Sequence, residues 1–296
     1  MKPAVILMAY GSPDRLSDVP AYYADIRGGR PIASEHLADL VARYEALGVG
    51  DGDGPSPLNA ATEETRAALA ARLETIPVYT GMRHWQPRIA DAVGRALAAG
   101  ADLLVGMVLA PHYSELSIGK YRGLFDDAVA GRAETRFVER WGAEPGFVSF
   151  LADRVRGAAG HVVFTAHSLP ARILATGDPY QDELFETAGL VAGEAGLGEW
   201  SFSYQSESPT GEPWLGPDIL DHLGTLAAAG VGEVLVCPVG FVSDHLEIRW
   251  DIDHEAQERA RELGMRLSRI AMPNAEPGFV EALGGIVRRE LHAVAA

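Results

Sequence analysis

Two residues at the ends of apolar runs, and one row of carboxylates, carry the chemistry open to this chain. VILMAYGSP at 5–13 puts Tyr10 just past one run, and VVFTAHSLP at 162–170 puts His167 in the same relation to another. In each segment a proline follows three residues later and stops the strand. Near the end of the chain, PVGFVSDHLE leads into a helical pattern where Glu247, Asp251 and Glu255 recur at i, i+4 and i+8, on one face. Like charges at that spacing cost about a few tenths of a kcal/mol per pair, which a bound cation relieves. A neutral imidazole with carboxylates suits a divalent first-row metal, and Fe²⁺ is as reasonable there as Zn²⁺.

Other chemistries are excluded by what the sequence lacks. No HExxH pair appears, no GxGxxG or GxxxxGK[ST] loop follows a strand, and Ser168 lacks the GxSxG frame of a nucleophile elbow. The single cysteine, Cys237, excludes intramolecular disulfides and any four-thiolate zinc or iron–sulfur site built from this chain alone. Acidic residues outnumber basic ones 41 to 25, for a net charge of −16, so no nucleic-acid footprint is expected. An anionic ligand needs a locally basic pocket, and Arg27, Arg30 and Arg43 cluster early in the chain. The first apolar run is too short for a signal-peptide core, and no later run is long enough to span a bilayer. The expectation is a soluble, cytoplasmic, monomeric protein.

The elements that position these residues follow from hydrophobic periodicity. With 296 residues, 47% of them hydrophobic, the chain can build one large domain or two medium ones. Strands are expected at 5–8, 77–80, 103–109, 135–138, 161–166, 202–205, 234–238 and 265–268, with helices at 35–47, 63–74, 87–99, 147–157, 219–229 and 247–263. Three segment pairs match in the same order: 5–13 with 162–170, 98–111 with 228–241, and 144–155 with 276–287. This predicts an α/β fold of two similar Rossmann-like halves, each a parallel sheet flanked by helices. The division expected is 1–150, then 151–276 carrying the metal-handling residues, with a helix at 277–296 packing back on the first half. Ligands of such sheets bind beyond the carboxyl ends of the strands, here the cleft between halves.

FTAHSLP at 164–170, YQSESPTGEPWLGPD at 204–218 and CPVGFVSDHLEIRWDIDHE at 237–255 resemble the signature segments of ferrochelatases, which insert Fe²⁺ into a porphyrin. The likeness extends from LMAYGSP at 7–13 through LAPHYSELSIGKY at 109–121 to PNAEPGF near the C-terminus. The Tyr of MAYG and the QSE segment are most similar to the soluble bacterial branch that uses coproporphyrin III. The resemblance implies a chelatase-like fold and an activity in haem biosynthesis, with His167 and Glu247 as the inner metal and proton-transfer pair. Asp251 and Glu255 match outer carboxylates that hold a hydrated cation, for which Mg²⁺ is suited. Tyr10 resembles the residue that becomes an axial ligand of iron in the product. Arg27, Arg43, Tyr44, Ser56 and Tyr121 fall on positions resembling porphyrin propionate contacts, and His84 matches a surface-side metal-contacting histidine.

The resemblance further implies Fe²⁺ as substrate, no permanently bound cofactor and no iron–sulfur cluster. It implies no membrane anchor, and passing contact with neighbouring haem-pathway enzymes. The sequence departs from the family at Asp51-Gly52-Asp53-Gly54, a short acidic insertion beside Ser56, and at Gly28, where relatives often carry a second basic residue. The alternatives are a protoporphyrin IX ferrochelatase, another tetrapyrrole chelatase, or a haem or metal carrier. A carrier needs Tyr10 and His167 but not Glu247.

Overall fold

A computed structural model of the chain describes residues 1–30, 32–49, 54–208 and 210–292. Within the acidic insertion, 51–53 lie outside the described residues. Eight strands form among the described residues: β1 Pro3–Ala9, β2 Val78–Met82, β3 Leu103–Val108, β4 Glu134–Val138, β5 His161–His167, β6 Trp200–Gln205, β7 Glu233–Cys237 and β8 Arg266–Arg269. All pair in parallel, in two four-stranded sheets of order β2-β1-β3-β4 and β6-β5-β7-β8. Raising each number by four converts the first order into the second, so the matched segments occupy equivalent places. Val5 lies between Val78 and Val105, as Val162 lies between Trp200 and Leu235. The central strands are apolar on both faces because both are covered. Ala4, Val5, Ile6, Leu7 and Met8 are 0% exposed, and every residue of β3 is buried.

The helices among the described residues are α1 Val19–Ile26, α2 Ser34–Ala46, α3 Pro57–Leu73, α4 Ile89–Ala98, α5 Ile118–Val129, α6 Pro145–Val155, α7 Tyr180–Ala195, α8 Ile219–Ala228, α9 Gln257–Glu262 and α10 Pro277–His292. A π-helix, Ile248–Ala256, runs directly into α9 where one α-helix was expected. α1, α5 and α7 were not expected. α1 is short and opens on Pro20, while α5 and α7 each hold two glycines, at about 1 kcal/mol of lost propensity apiece. Tertiary burial overrides that cost: Phe125 of α5 and Leu184 of α7 are fully buried. α3 starts six residues before the expected point, capped by Ser56, whose hydroxyl oxygen accepts from Asn59 N, with Pro57 in the first turn.

One core spans both sheets. Val5, Leu7 and Val105 join Val162 and Phe164 through Phe147 and Leu151 of α6, and through Phe279 and Leu283 of α10. Residue 150 lies inside α6, so the chain passes between the sheets through a packed helix rather than a linker. α10 returns to the first half, with the Phe279 ring 6.0 Å from Trp141, 6.1 Å from Phe147 and 5.9 Å from Phe150. Arg72–Glu281, Arg289–Glu144 and Arg154–Glu276 rim this contact. The outer faces of the two sheets carry smaller cores, one beneath α4 and α5 and one beneath α8 and the π-helix. Because Phe279 joins both halves, Phe279→Ala is expected to cost roughly 3–5 kcal/mol. Denaturant unfolding checks this, and an unchanged midpoint would remove α10 from the shared core.

Candidate functional site

The C-terminal ends of β5 and β7 set the floor of the cleft. His167 is the last residue of β5; its Nδ1 donates to the Ser168 carbonyl, and the Tyr180 hydroxyl donates to its own carbonyl at 2.9 Å. A carbonyl only accepts, so Nδ1 carries the proton and Nε2 is the working nitrogen. That atom lies 3.4 Å from Glu247 Oε1. On the other carboxylate oxygen, His245 Nε2 sits at 3.5 Å from Oε2, and His245 Nδ1 donates to the Ser243 carbonyl at 2.8 Å. Glu247 therefore faces two imidazoles, each with its far nitrogen fixed on the backbone. His245 was not foreseen. Its signal is its place two residues before Glu247, which an i, i+4 search for one helix face passes over.

The site's electrostatics follow from partial burial and these contacts. His167 and Glu247 keep 31% and 35% of their side-chain surface open to the cleft. Burial alone would lower the His167 value, but the charge and hydrogen bond of Glu247 carry it up to about 9. Burial alone would raise Glu247, and the charge and hydrogen bond of His167, then those of His245, hold it well below the ordinary carboxylate range. At neutral pH the pair is a carboxylate beside an imidazolium. Asp251 is pushed up to about 7, first by burial and then by the charge of Glu247, against a hydrogen bond from Ser206.

The π-helix fixes where these carboxylates point. Gln205 Nε2 donates to the Glu247 carbonyl at 3.1 Å and its Oε1 accepts from Thr165 at 3.0 Å, so the end of β6 tethers the start of the π-helix. Ser206, with φ of 65°, turns back to bond Asp251. Glu255 accepts from Trp250 Nε1 at 2.8 Å and lies 4.0 Å from Arg43 of α2. The Arg43 guanidinium stands over the Trp250 ring at 5.0 Å, and its Nε bonds Asp39 at 3.0 Å. The expected metal set of His167, Glu247, Asp251 and Glu255 is thus a row rather than a shell. Among the described residues no group of three or more His, Cys, Asp or Glu side chains is arranged to hold a metal ion, because Asp251 and Glu255 are turned to their own partners.

The first half supplies the facing wall. Tyr10, past the end of β1, is 40% exposed; burial of its hydroxyl end pushes its value up to about 12, with Arg83 opposing and Glu247 adding to the rise. Its ring lies 4.6 Å from that of His84, whose Nδ1 meets Asp25 at 2.8 Å, and Arg88 also binds Asp25 at 2.8 Å. Burial lowers His84 below its usual value despite Asp25. Of the other cations considered, Arg27 and Arg30 follow α1 on the surface, while Arg43 is held by Asp39 and Glu255. Tyr44, Ser56 and Tyr121 are closed off, at 4%, 2% and 3% exposure. Tyr44 is packed with Tyr22 and Leu40, Ser56 caps α3, and Tyr121 lies in the outer core with Arg83 over its ring at 5.4 Å. The six residues therefore do not form one open surface in this state.

A family model described as Ferrochelatase matches residues 2–291. The chain belongs to the ferrochelatase family. Ferrochelatases of Herpetosiphon aurantiacus and Deinococcus radiodurans are 43% and 42% identical to it, covering 97% and 98% of this chain and 98% and 96% of theirs. A coproporphyrin III ferrochelatase of Anoxybacillus flavithermus is 40% identical over 97% of this chain and 96% of its own. In fold the chain is similar to SirB from Bacillus subtilis with Fe³⁺, at a TM-score of 0.62 and 10% identity over 98% of this chain and 96% of that one. No helix among the described residues is long and apolar enough to cross a membrane.

The ion pair makes a prediction for stability. The folded-state value of His167 lies above its ordinary 6.5 and that of Glu247 below its ordinary 4.5, so the pair's contribution is fully present between about 4.5 and 6.5 and is lost as pH rises through about 9. The stability difference between the wild type and Glu247→Gln is expected to shrink across that rise. Thermal unfolding of both proteins at a series of pH values checks it, and a difference that grows across the same rise would overturn the assignment of charges.

Proposed function

We propose that this ferrochelatase inserts Fe²⁺ into coproporphyrin III to give Fe-coproporphyrin in haem biosynthesis, with His167 and Glu247 as its inner metal and proton-transfer pair. The observation that carries this reading is one carboxylate set between two backbone-anchored imidazoles at the cleft floor. Metallation replaces two pyrrole N–H protons by one Fe²⁺, so the site must attract a cation and accept two protons on the same face of the ring. Glu247, ionised at rest, does the first. As the cation approaches, the proton on His167 Nε2 passes to water in the open cleft, because proton and metal compete for one lone pair. Once the ion has moved onto the ring nitrogens, the imidazole lone pair and the carboxylate are free to take the two ring protons. Asp251 and Glu255 continue the row outward, as a place for a hydrated cation such as Mg²⁺ or incoming Fe²⁺.

The substrate reading has separate support. Coproporphyrin III carries four carboxylates, which a chain of net charge −16 repels unless cations are placed locally. Arg27 and Arg30 are exposed in the segment after α1, and Arg43 stands 4.0 Å from Glu255. Tyr10 stands at the strand end that corresponds to His167, near enough to feel the charge of Glu247, and suits an axial phenolate ligand of the product iron. The relatives named as coproporphyrin III ferrochelatases, 40% and 38% identical, point the same way. Fe²⁺ is read as substrate, and the one thiol, Cys237, does not support an iron–sulfur cluster.

Anaerobic Fe²⁺ insertion followed by absorbance, with coproporphyrin III and protoporphyrin IX side by side, tests both levels. Clear preference for coproporphyrin III is expected, whereas preference for protoporphyrin IX would overturn the substrate. Glu247→Gln is expected to abolish turnover while porphyrin still binds, and retained turnover would remove the residue from the mechanism. Tyr10→Phe is expected to change the spectrum of bound product more than the insertion rate, and an unaltered spectrum would exclude it as a ligand.

A further inference from the structure

The strand that ends in His167 begins with another histidine. His161 opens β5, six residues and so about 20 Å from His167. Its Nε2 lies 2.9 Å from Ser201 Oγ on β6. His222, in the first turn of α8, brings its own Nε2 to 2.7 Å from the same hydroxyl. Register explains the convergence. Ser201 pairs with Val163, so His161, Val163 and Ser201 share the sheet face that Ile219 and Leu223 of α8 cover. All three polar residues are half-buried at the edge strand, and His161 and Glu199 also line an open depression of roughly 730 Å³ at that end of the sheet.

A count of protons shows what this cluster offers. The Ser201 hydroxyl has one proton and can donate to only one of the two nitrogens, so the other must donate to it. One ring thus presents a bare Nε2 and the other an Nε2–H. Burial lowers both histidines below their usual value, opposed at His161 by Glu199 and reinforced at His222 by His161. Two neutral imidazoles converge beside a carboxylate in an acidic chain, and loading them with a metal requires a tautomer shift rather than the expulsion of a bound proton.

We propose that His161 and His222 chelate a late first-row divalent cation of the Zn²⁺ type, with Ser201 and water completing its shell, at the end of the second sheet remote from the cleft. Paired imidazole nitrogens are the donors these ions prefer. The hydroxyl between the rings already aims both nitrogens at one point, and turning the two side chains inward brings them onto a single ion. Fe²⁺ stands below Zn²⁺ in the affinity order for such donors, so the pair is no feeder for the insertion reaction.

The test is a titration of the full chain with Zn²⁺ against a chromophoric competitor at neutral pH. His222→Gln and His161→Gln are each expected to bind one equivalent fewer than the wild type. Anaerobic Fe²⁺ insertion should stay at the wild-type rate, which separates this site from the cleft. Unchanged stoichiometry and affinity in the folded variants would overturn the site and leave the three residues as a polar pin beneath α8. Either variant alone decides, so a failure of one to fold leaves the other.

Discussion

The carboxylate of Glu247 is held on both oxygens by imidazole nitrogens, and most of the cleft is arranged around that constraint. A carboxylate taken partly out of water is tolerated only if its lone pairs are met, and losing one partner of such a pair is costly. His167 and His245 meet them from different segments, the end of β5 and the loop after β7. Each segment must therefore be immobile. Gly240 lets the loop pass close over β5: a Cβ there would lie 2.6 Å from that of Ala166. Asp244 ties the same loop to Arg269 at 2.9 Å and to Asn274 at 2.8 Å. The π-helix that follows is a rare conformation found mostly at functional sites, and nine residues of it are held by Gln205, Ser206 and Arg43.

The first half closes over this array through α1 and α2. Val19, Tyr22, Leu40, Tyr44 and Val49 form a small aromatic-rich core that reaches across to Leu246, the residue before Glu247. Arg43 adds polar contact to the same junction. A flat macrocycle that touches Tyr44 must part this roof, and the chain between α1 and α2 carries two glycines, Gly28 and Gly29, in the left-handed region. Arg43 links the two demands: the cation that would pair with a propionate is, in the closed state, the partner of the outer carboxylate Glu255.

The inner strands β1, β3 and β5 were legible because a parallel strand buried on both faces is a short run of apolar β-formers, which little else in a sequence imitates; the charged, half-exposed edge strands β4 and β8 were legible only by their place in the repeating order. The helices with clear amphipathic spacing were legible for a similar reason. α1, α5 and α7 were not, since proline and glycine lower local helix propensity and burial against the sheets restores it. The face shared by Glu247, Asp251 and Glu255 could be read from spacing alone, but not that the helix is π, nor that Ser206 and Trp250 draw the outer two aside. His245 was hidden because its partner is near in sequence while the shared target, Glu247, is defined by His167, about 80 residues away along a different strand.

The equivalence of the two halves accounts for the placement of the chemistry. β1 and β5 are equivalent, and the residues at their ends, Tyr10 and His167, have become a phenol and an imidazole beside one cleft. The element after β3 is α5, buried on Tyr121 and Phe125; its counterpart after β7 is the π-helix, with three carboxylates on or just before it. One copy thus keeps an ordinary covering helix and the other turns the same position into the acidic row. α6 and α10, the last matched pair, both pack into the core between the sheets, where Phe147 and Phe279 meet. Because the helices that close each half share that core, the two sheet ends are fixed relative to each other. A residue from each half can then work on one ligand without either sheet having to supply the whole site.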